Sequence, residues 1–86
     1  MTVTIPIAVT VLDWEDAPQA GVNVYAFDGG MYTGYHGTSN TSGEVVFTLP
    51  VGAYRFRADF GGEQYWSAET NHCEIPGCLS EEVRVG

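Results

Sequence analysis

The chain has 86 residues, eleven of them acidic and three basic, for a formal net charge of −8. Such an acidic surface repels phosphate backbones and anionic lipids, which argues against nucleic acid and membrane surfaces as partners. No apolar run approaches the ~18 residues of a membrane span, so no membrane insertion is expected.

The length fits a single module over residues 1–86. A chain of this size buries roughly 60–65% of its unfolded surface, so a covalent staple would add usefully to its stability. Met1-Thr-Val-Thr has neither the positive start nor the apolar stretch of a secretory leader, and Met1 reads as an introduced start or a module boundary.

In chain order, Val3, Ile5, Ile7, Val9 and Val11 alternate with Thr2, Thr4, Pro6, Ala8 and Thr10, which predicts a long first strand. Pro6 cannot donate to a ladder, so that end is an edge or a bulge, and residues 1–5 are open as linker rather than sheet. A polar loop, Asp13 to Gly21, follows. Val22, Val24 and Ala26 alternate with Asn23, Tyr25 and Phe27 in a second strand that is apolar on both faces. Asp28-Gly29-Gly30 turns into a third strand, Met31 to Thr38, which Gly34 and Gly37 weaken into an edge. Ser39 to Gly43 is a further turn.

Gly43 to Phe60 is the most regular stretch. Val45, Phe47 and Leu49 share one face of a strand, and Tyr54, Phe56, Ala58 and Phe60 share one face of the next. The Pro50-Val51-Gly52 link between them reads as the turn of a β-hairpin. Short strands at Glu63 to Ser67, around Cys73 and near Glu82 to Val85 close the chain. No stretch keeps a helical period. Six or more short strands at about ten-residue spacing predict an all-β sandwich or barrel.

The two cysteines, Cys73 and Cys78, enclose Glu-Ile-Pro-Gly, whose Pro-Gly is a turn signal. The spacing predicts a short-range disulfide, worth about 2 kcal/mol in the chain-entropy model and a mark of an oxidising compartment. A zinc site recruiting His36 and His72 fits the spacing of paired zinc ligands poorly.

Several motifs together support a family comparison. Asp13 with Pro18-Gln19-Ala20-Gly21-Val22-Asn23-Val24-Tyr25, then Thr38 to Phe47, then Leu49-Pro50-Val51-Gly52-Ala53-Tyr54-Arg55-Phe56 resemble carboxypeptidase regulatory-like and collagen-adhesin B-type repeats. The resemblance covers residues 7–60, and Gly52-Ala53-Tyr54 is its most specific part. It implies a seven-stranded prealbumin-like β-sandwich of Ig-like, Greek-key type, to which the cysteine pair adds a C-terminal short-loop disulfide. It also implies a non-catalytic repeat of a secreted or cell-surface bacterial protein. The stretch from Trp66 through Cys73 to Cys78 is similar to a variant in large bacterial repeat proteins. Many adhesin repeats carry a lysine–asparagine isopeptide bond. The chain has no lysine, its basic residues being Arg55, Arg57 and Arg84, so that bond cannot form here.

Three constellations remain. No G-x-S-x-G, H-E-x-x-H or Gly-rich phosphate loop is present, and His36 and His72 are expected to be structural, so the chain reads as non-enzymatic with no cofactor required. The loops after the first, third and fifth strands share one pole in an up-and-down tracing. They carry Asp13, Glu15, Asp16, Asn40, Asp59 and Glu63, which are candidate calcium ligands or else a solvated acidic rim. With Val22, Val24, Tyr54 and Phe56 inward, Tyr25, Phe27, Arg55 and Arg57 point outward. With Trp66 they form a candidate contact face, or a self-satisfied cation–π ladder. Trp14 is a further candidate contact.

The leading expectation is a structural or spacer module of an extracellular or cell-surface repeat protein, contacting adjacent repeats, fibre subunits or another protein. The alternatives are a carbohydrate-binding module using the aromatic face and a calcium-dependent adhesion or fibre-assembly unit.

Overall fold

The computed structural model of the chain describes residues 3–28, 30–67, 73–75 and 77–86, with Cys73 described by its backbone alone. Among these residues lie eight strands and no helix: β1 (Thr4–Leu12), β2 (Asn23–Asp28), β3 (Met31–Thr38), β4 (Glu44–Pro50), β5 (Gly52–Phe60), β6 (Glu63–Trp66), β7 (Cys73–Ile75) and β8 (Ser80–Arg84). One sheet has the order β4-β1-β8. In the other, β3-β2-β5-β6 run side by side and β7 pairs with β5. The resemblance implies seven strands and eight are found. β5 meets two short strands in succession, β6 along Arg57–Phe60 and β7 along Gly52–Tyr54.

The hairpin expected at Pro50-Val51-Gly52 is not one. β4 pairs with β1 and β5 pairs with β2, so the link carries the chain from one sheet to the other. The inward faces of the two strands therefore oppose each other. Phe47 and Phe56 stack across the core with ring centroids 5.5 Å apart. Around them lie Ile7, Val9, Val11, Val24, Leu49, Val83 and Val85 in one buried cluster drawn from both sheets.

Tyr54 secures the crossing. Its hydroxyl donates to the Pro50 carbonyl at 2.9 Å while its ring is buried. Removing that donor takes this part-buried hydrogen bond from the Pro50 carbonyl. Tyr54→Phe is expected to cost about 1 kcal/mol in denaturant unfolding. The Tyr54 pKa lies above its ordinary 10.0, chiefly through burial and further through Tyr35 and Asp28. A phenol whose folded pKa is raised gives its full stabilisation below pH 10.0 and loses it as pH climbs through the folded value. The wild type should thus lose stability above that pH more steeply than Tyr54→Phe. Tyr65, raised by its hydrogen bond to Glu63, is common to both proteins.

The linker expectation for residues 1–5 is corrected at Thr4 and Ile5, which pair with Pro50 and Leu49. Pro6 is accommodated because of its direction. Ala8 N–H donates toward β8, to Leu79 O, so by the period of two the missing N–H of Pro6 faces the same side. The pairing of β8 with β1 begins only at Ala8, and Pro6 is locally an edge residue.

β3 is an edge strand, as its glycines suggest. Between the pairs Tyr25↔His36 and Phe27↔Tyr32 the register shifts, and Thr33, Gly34 and Tyr35 bulge opposite Ala26. Gly34 takes φ +92° there, and Thr33 Oγ1 donates to Ala26 O at 2.8 Å.

The strand directions set two poles. Leu12, Asn23, Thr38, Glu44, Phe60, Glu63 and Arg84 lie toward one, and Thr4, Asp28, Met31, Pro50, Gly52 and Ser80 toward the other. The body measures 39 × 24 × 19 Å.

Candidate contact face

β2 and β5 are adjacent and antiparallel, with Tyr25 opposite Arg57 and Phe27 opposite Arg55. β6 then sets Trp66 opposite Arg57. Because Val24, Ala26, Phe56 and Ala58 fill the core side, the alternating residues must stand on the outer face. The structure brings Tyr25, Phe27, Arg55, Arg57 and Trp66 together there.

The geometry is that of an interleaved ladder. The Arg55 guanidinium lies 4.1 Å from the centroid of the Trp66 ring. That of Arg57 lies 4.8 Å from Tyr25 and 5.2 Å from Phe27. Phe27 meets Trp66 edge-on at 4.9 Å. Each cation–π contact contributes about 0.5–1 kcal/mol when exposed, and each aromatic pair about 0.5–1.5 kcal/mol beyond its burial.

Two further rings extend the strip onto β3. Tyr32 packs on Tyr25 at 5.7 Å and on Phe27 at 5.5 Å, and His36 lies 6.2 Å from Tyr25. Sequence reasoning missed both. The bulge at Thr33–Tyr35 breaks the alternation of β3, so no period of two assigned their face. The outcome is an outer face with its own small apolar cluster. Phe27 is only 8% exposed, whereas Trp66 at 37% and Tyr32 at 44% flank it with open ring surface.

Arg57 is ion-paired on this face. Arg57 Nε lies 2.9 Å from Asp59 Oδ1, and Nη2 donates to Oδ2 at 3.3 Å. The strip offers planar aromatic and guanidinium surface. Such surface suits the apolar faces of protein side chains or sugar rings.

The acidic rim does gather at one pole, but most of its carboxylates have other work. Asp13 accepts from the backbone N–H of Glu15 and Ala17 and from Gln19 Nε2, which folds the β1–β2 loop. Asp16 pairs with Arg84, whose pKa is raised above its ordinary value mainly by that hydrogen bond. Asp59 holds Arg57, and Glu63 accepts from Tyr65. Asn40 Oδ1 accepts from Ser42 and Glu44 N–H. Glu15 is exposed. Among the described residues no group of three or more His, Cys, Asp or Glu side chains is placed to hold a metal ion. Trp14 is 70% exposed, with its indole N–H donating to Gly86 O at 2.9 Å.

The Cys73 side chain and His72 lie outside the described residues, so the pairing of Cys73 with Cys78 falls outside them too. The backbone does turn there, with Cys78 N–H donating to Glu74 O at 2.6 Å. Among the described residues no helix is long and apolar enough to cross a membrane. No protein-family model and no curated protein matches the chain.

Proposed function

We propose that the chain is a non-catalytic spacer module of an extracellular or cell-surface repeat protein, needing no cofactor. The sandwich would be of the prealbumin-like, Greek-key type that the Gly52-Ala53-Tyr54 resemblance implies. The observation that carries this reading is the placement of the chain's entry and exit. β1 starts at the pole of Pro50, and its parallel neighbour β8 ends at the opposite pole beside Leu12. Copies joined in series would stack end to end and add length, which is what a spacer does. The Tyr25–Arg57–Phe27–Arg55–Trp66 face lies on the flank of that stack, where a neighbouring repeat, a fibre subunit or another protein would meet it.

The test is small-angle scattering from one, two and three copies joined in line. The maximum dimension should grow by close to the 39 Å module length with each copy. Growth of less than half that length would overturn the spacer reading.

A second reading is favoured by the open rings of Trp66 and Tyr32, which could stack on sugars. Glycan-array binding that disappears in Trp66→Ala would support it over the spacer. The calcium reading has weaker support, because Asp13, Asp16, Asp59 and Glu63 already have partners within the chain.

The reading includes the Cys73–Cys78 disulfide. The Glu74–Cys78 turn supports it, since it reverses the backbone between the two cysteine positions. Reduction is expected to lower stability by about 2 kcal/mol, measured by urea unfolding with and without dithiothreitol. Cys78→Ser should show the same loss and no further response to reductant.

A further inference from the structure

We propose that β1 and β8 form a shear clamp, which makes the module resistant to tension applied along the chain. The proposal rests on the spacer reading, since a module in series bears the pull of its neighbours.

β1 and β8 are parallel neighbours paired from Ala8↔Ser80 to Leu12↔Arg84. Load enters β1 at its Thr4 pole and leaves β8 at the Arg84 pole. The two strands are thus pulled in opposite directions along their own axes. Their inter-strand hydrogen bonds run across that direction, so they are loaded together and must fail together. Strands pulled apart from a shared end would instead lose their bonds one pair at a time. Sliding is further opposed by side chains. Val9, Val11, Val83 and Val85 are fully buried on the inner face, and a one-residue slip would turn a strand's buried set toward solvent. β1 itself is anchored on its other edge by seven pairs with β4, Thr4↔Pro50 through Thr10↔Glu44.

The exit pole carries a latch. Val85 N–H donates to Leu12 O at 2.9 Å. Arg84 donates to Asp13 O at 2.9 Å and to the Asp16 carboxylate, and the Trp14 indole holds Gly86 O. All of these partners belong to the end of β1 or to the loop after it. Force arriving at Gly86 is therefore passed to the strand that must be sheared. This gives the β1–β2 loop and Trp14 a role that neither the acidic rim nor the contact face explains.

Single-molecule pulling tests the clamp on the intact domain in two geometries. Handles at Val3 and Gly86 shear β1 against β8. Handles at Val3 and Leu79 load the same two strands from one pole. Both Val3 and Leu79 are well exposed, so the fold is common to the two experiments. The expected result is a several-fold higher unfolding force for Val3–Gly86. Equal forces, or a higher force for Val3–Leu79, overturn the proposal while leaving the scattering result on joined copies untouched. In a second arm, Arg84→Gln should lower the Val3–Gly86 force and spare the Val3–Leu79 force. An equal drop in both would assign Arg84 to general stability and overturn the latch.

Discussion

Replacing Gly43 by alanine should cost the domain about 3 kcal/mol, well beyond the ordinary price of a left-handed alanine. Gly43 has φ +76°, and a Cβ built on it would lie 2.6 Å from the Val11 carbonyl oxygen, with Pro18 Cβ at 3.1 Å and Gln19 N at 3.2 Å. The obstacle is backbone, which cannot rotate away. The Gly43 carbonyl also accepts from Val11 N–H at 2.7 Å, and Val11 O accepts from Gln19 N–H at 2.9 Å. Any shift that relieves the contact breaks a bond between β1 and the turn before β4, or between β1 and its own loop. For a domain of this size the loss corresponds to a drop in Tm on the order of 15 °C.

Gly61→Ala is the matched comparison. Gly61 has φ +60°, and among the described residues nothing beyond its chain neighbours lies within 4 Å of a built Cβ. It should lose only the conformational part, about 1 kcal/mol. Thermal melts of the two variants side by side isolate the steric contribution. A Gly43→Ala melt no lower than that of Gly61→Ala would show that β1 does not approach the turn this closely.

Alternation carried most of the strand assignment, because inward and outward residues differ so plainly in β1, β4 and β5. It carried the outer face as well, since Tyr25, Phe27, Arg55 and Arg57 follow once Val24 and Phe56 are set inward. It could not reach Tyr32 and His36. A bulge two residues longer than its partner strand is fixed by Gly34 and by the Thr33 bond to Ala26, which leave no periodic trace. The calcium rim shows the opposite difficulty. Placing acidic residues at one pole was a matter of strand direction. Whether they bind backbone N–H, arginine or a cation depends on individual side-chain contacts such as Asp13 with Ala17 and Asp16 with Arg84. The latch at Arg84 and Trp14 joins residues some seventy positions apart, beyond the reach of local pattern.

Phe56→Ala is expected to be the most damaging single change, at about 3–5 kcal/mol. The total available to 86 residues is roughly 4–13 kcal/mol, so this variant would leave the domain barely folded or unfolded. Leucine at Phe47 and at Phe56, singly and together, keeps enough of the core to be measured. The rings stack at 5.5 Å and 28°, so the double-mutant cycle should give a coupling of about 0.5–1.5 kcal/mol. The value discriminates between two architectures. Were Pro50-Val51-Gly52 a three-residue hairpin turn, Phe47 would stand opposite Arg55, and Phe56 would point to the other side of the same sheet. The rings could not then touch, and the cycle would return no coupling. The parity was present in the sequence: a three-residue link places the two apolar faces on one side only if the chain leaves its sheet. It does leave, and Phe47 and Phe56 become the contact that joins the two sheets. Coupling within error of zero would restore the hairpin and remove the face-to-face core with it.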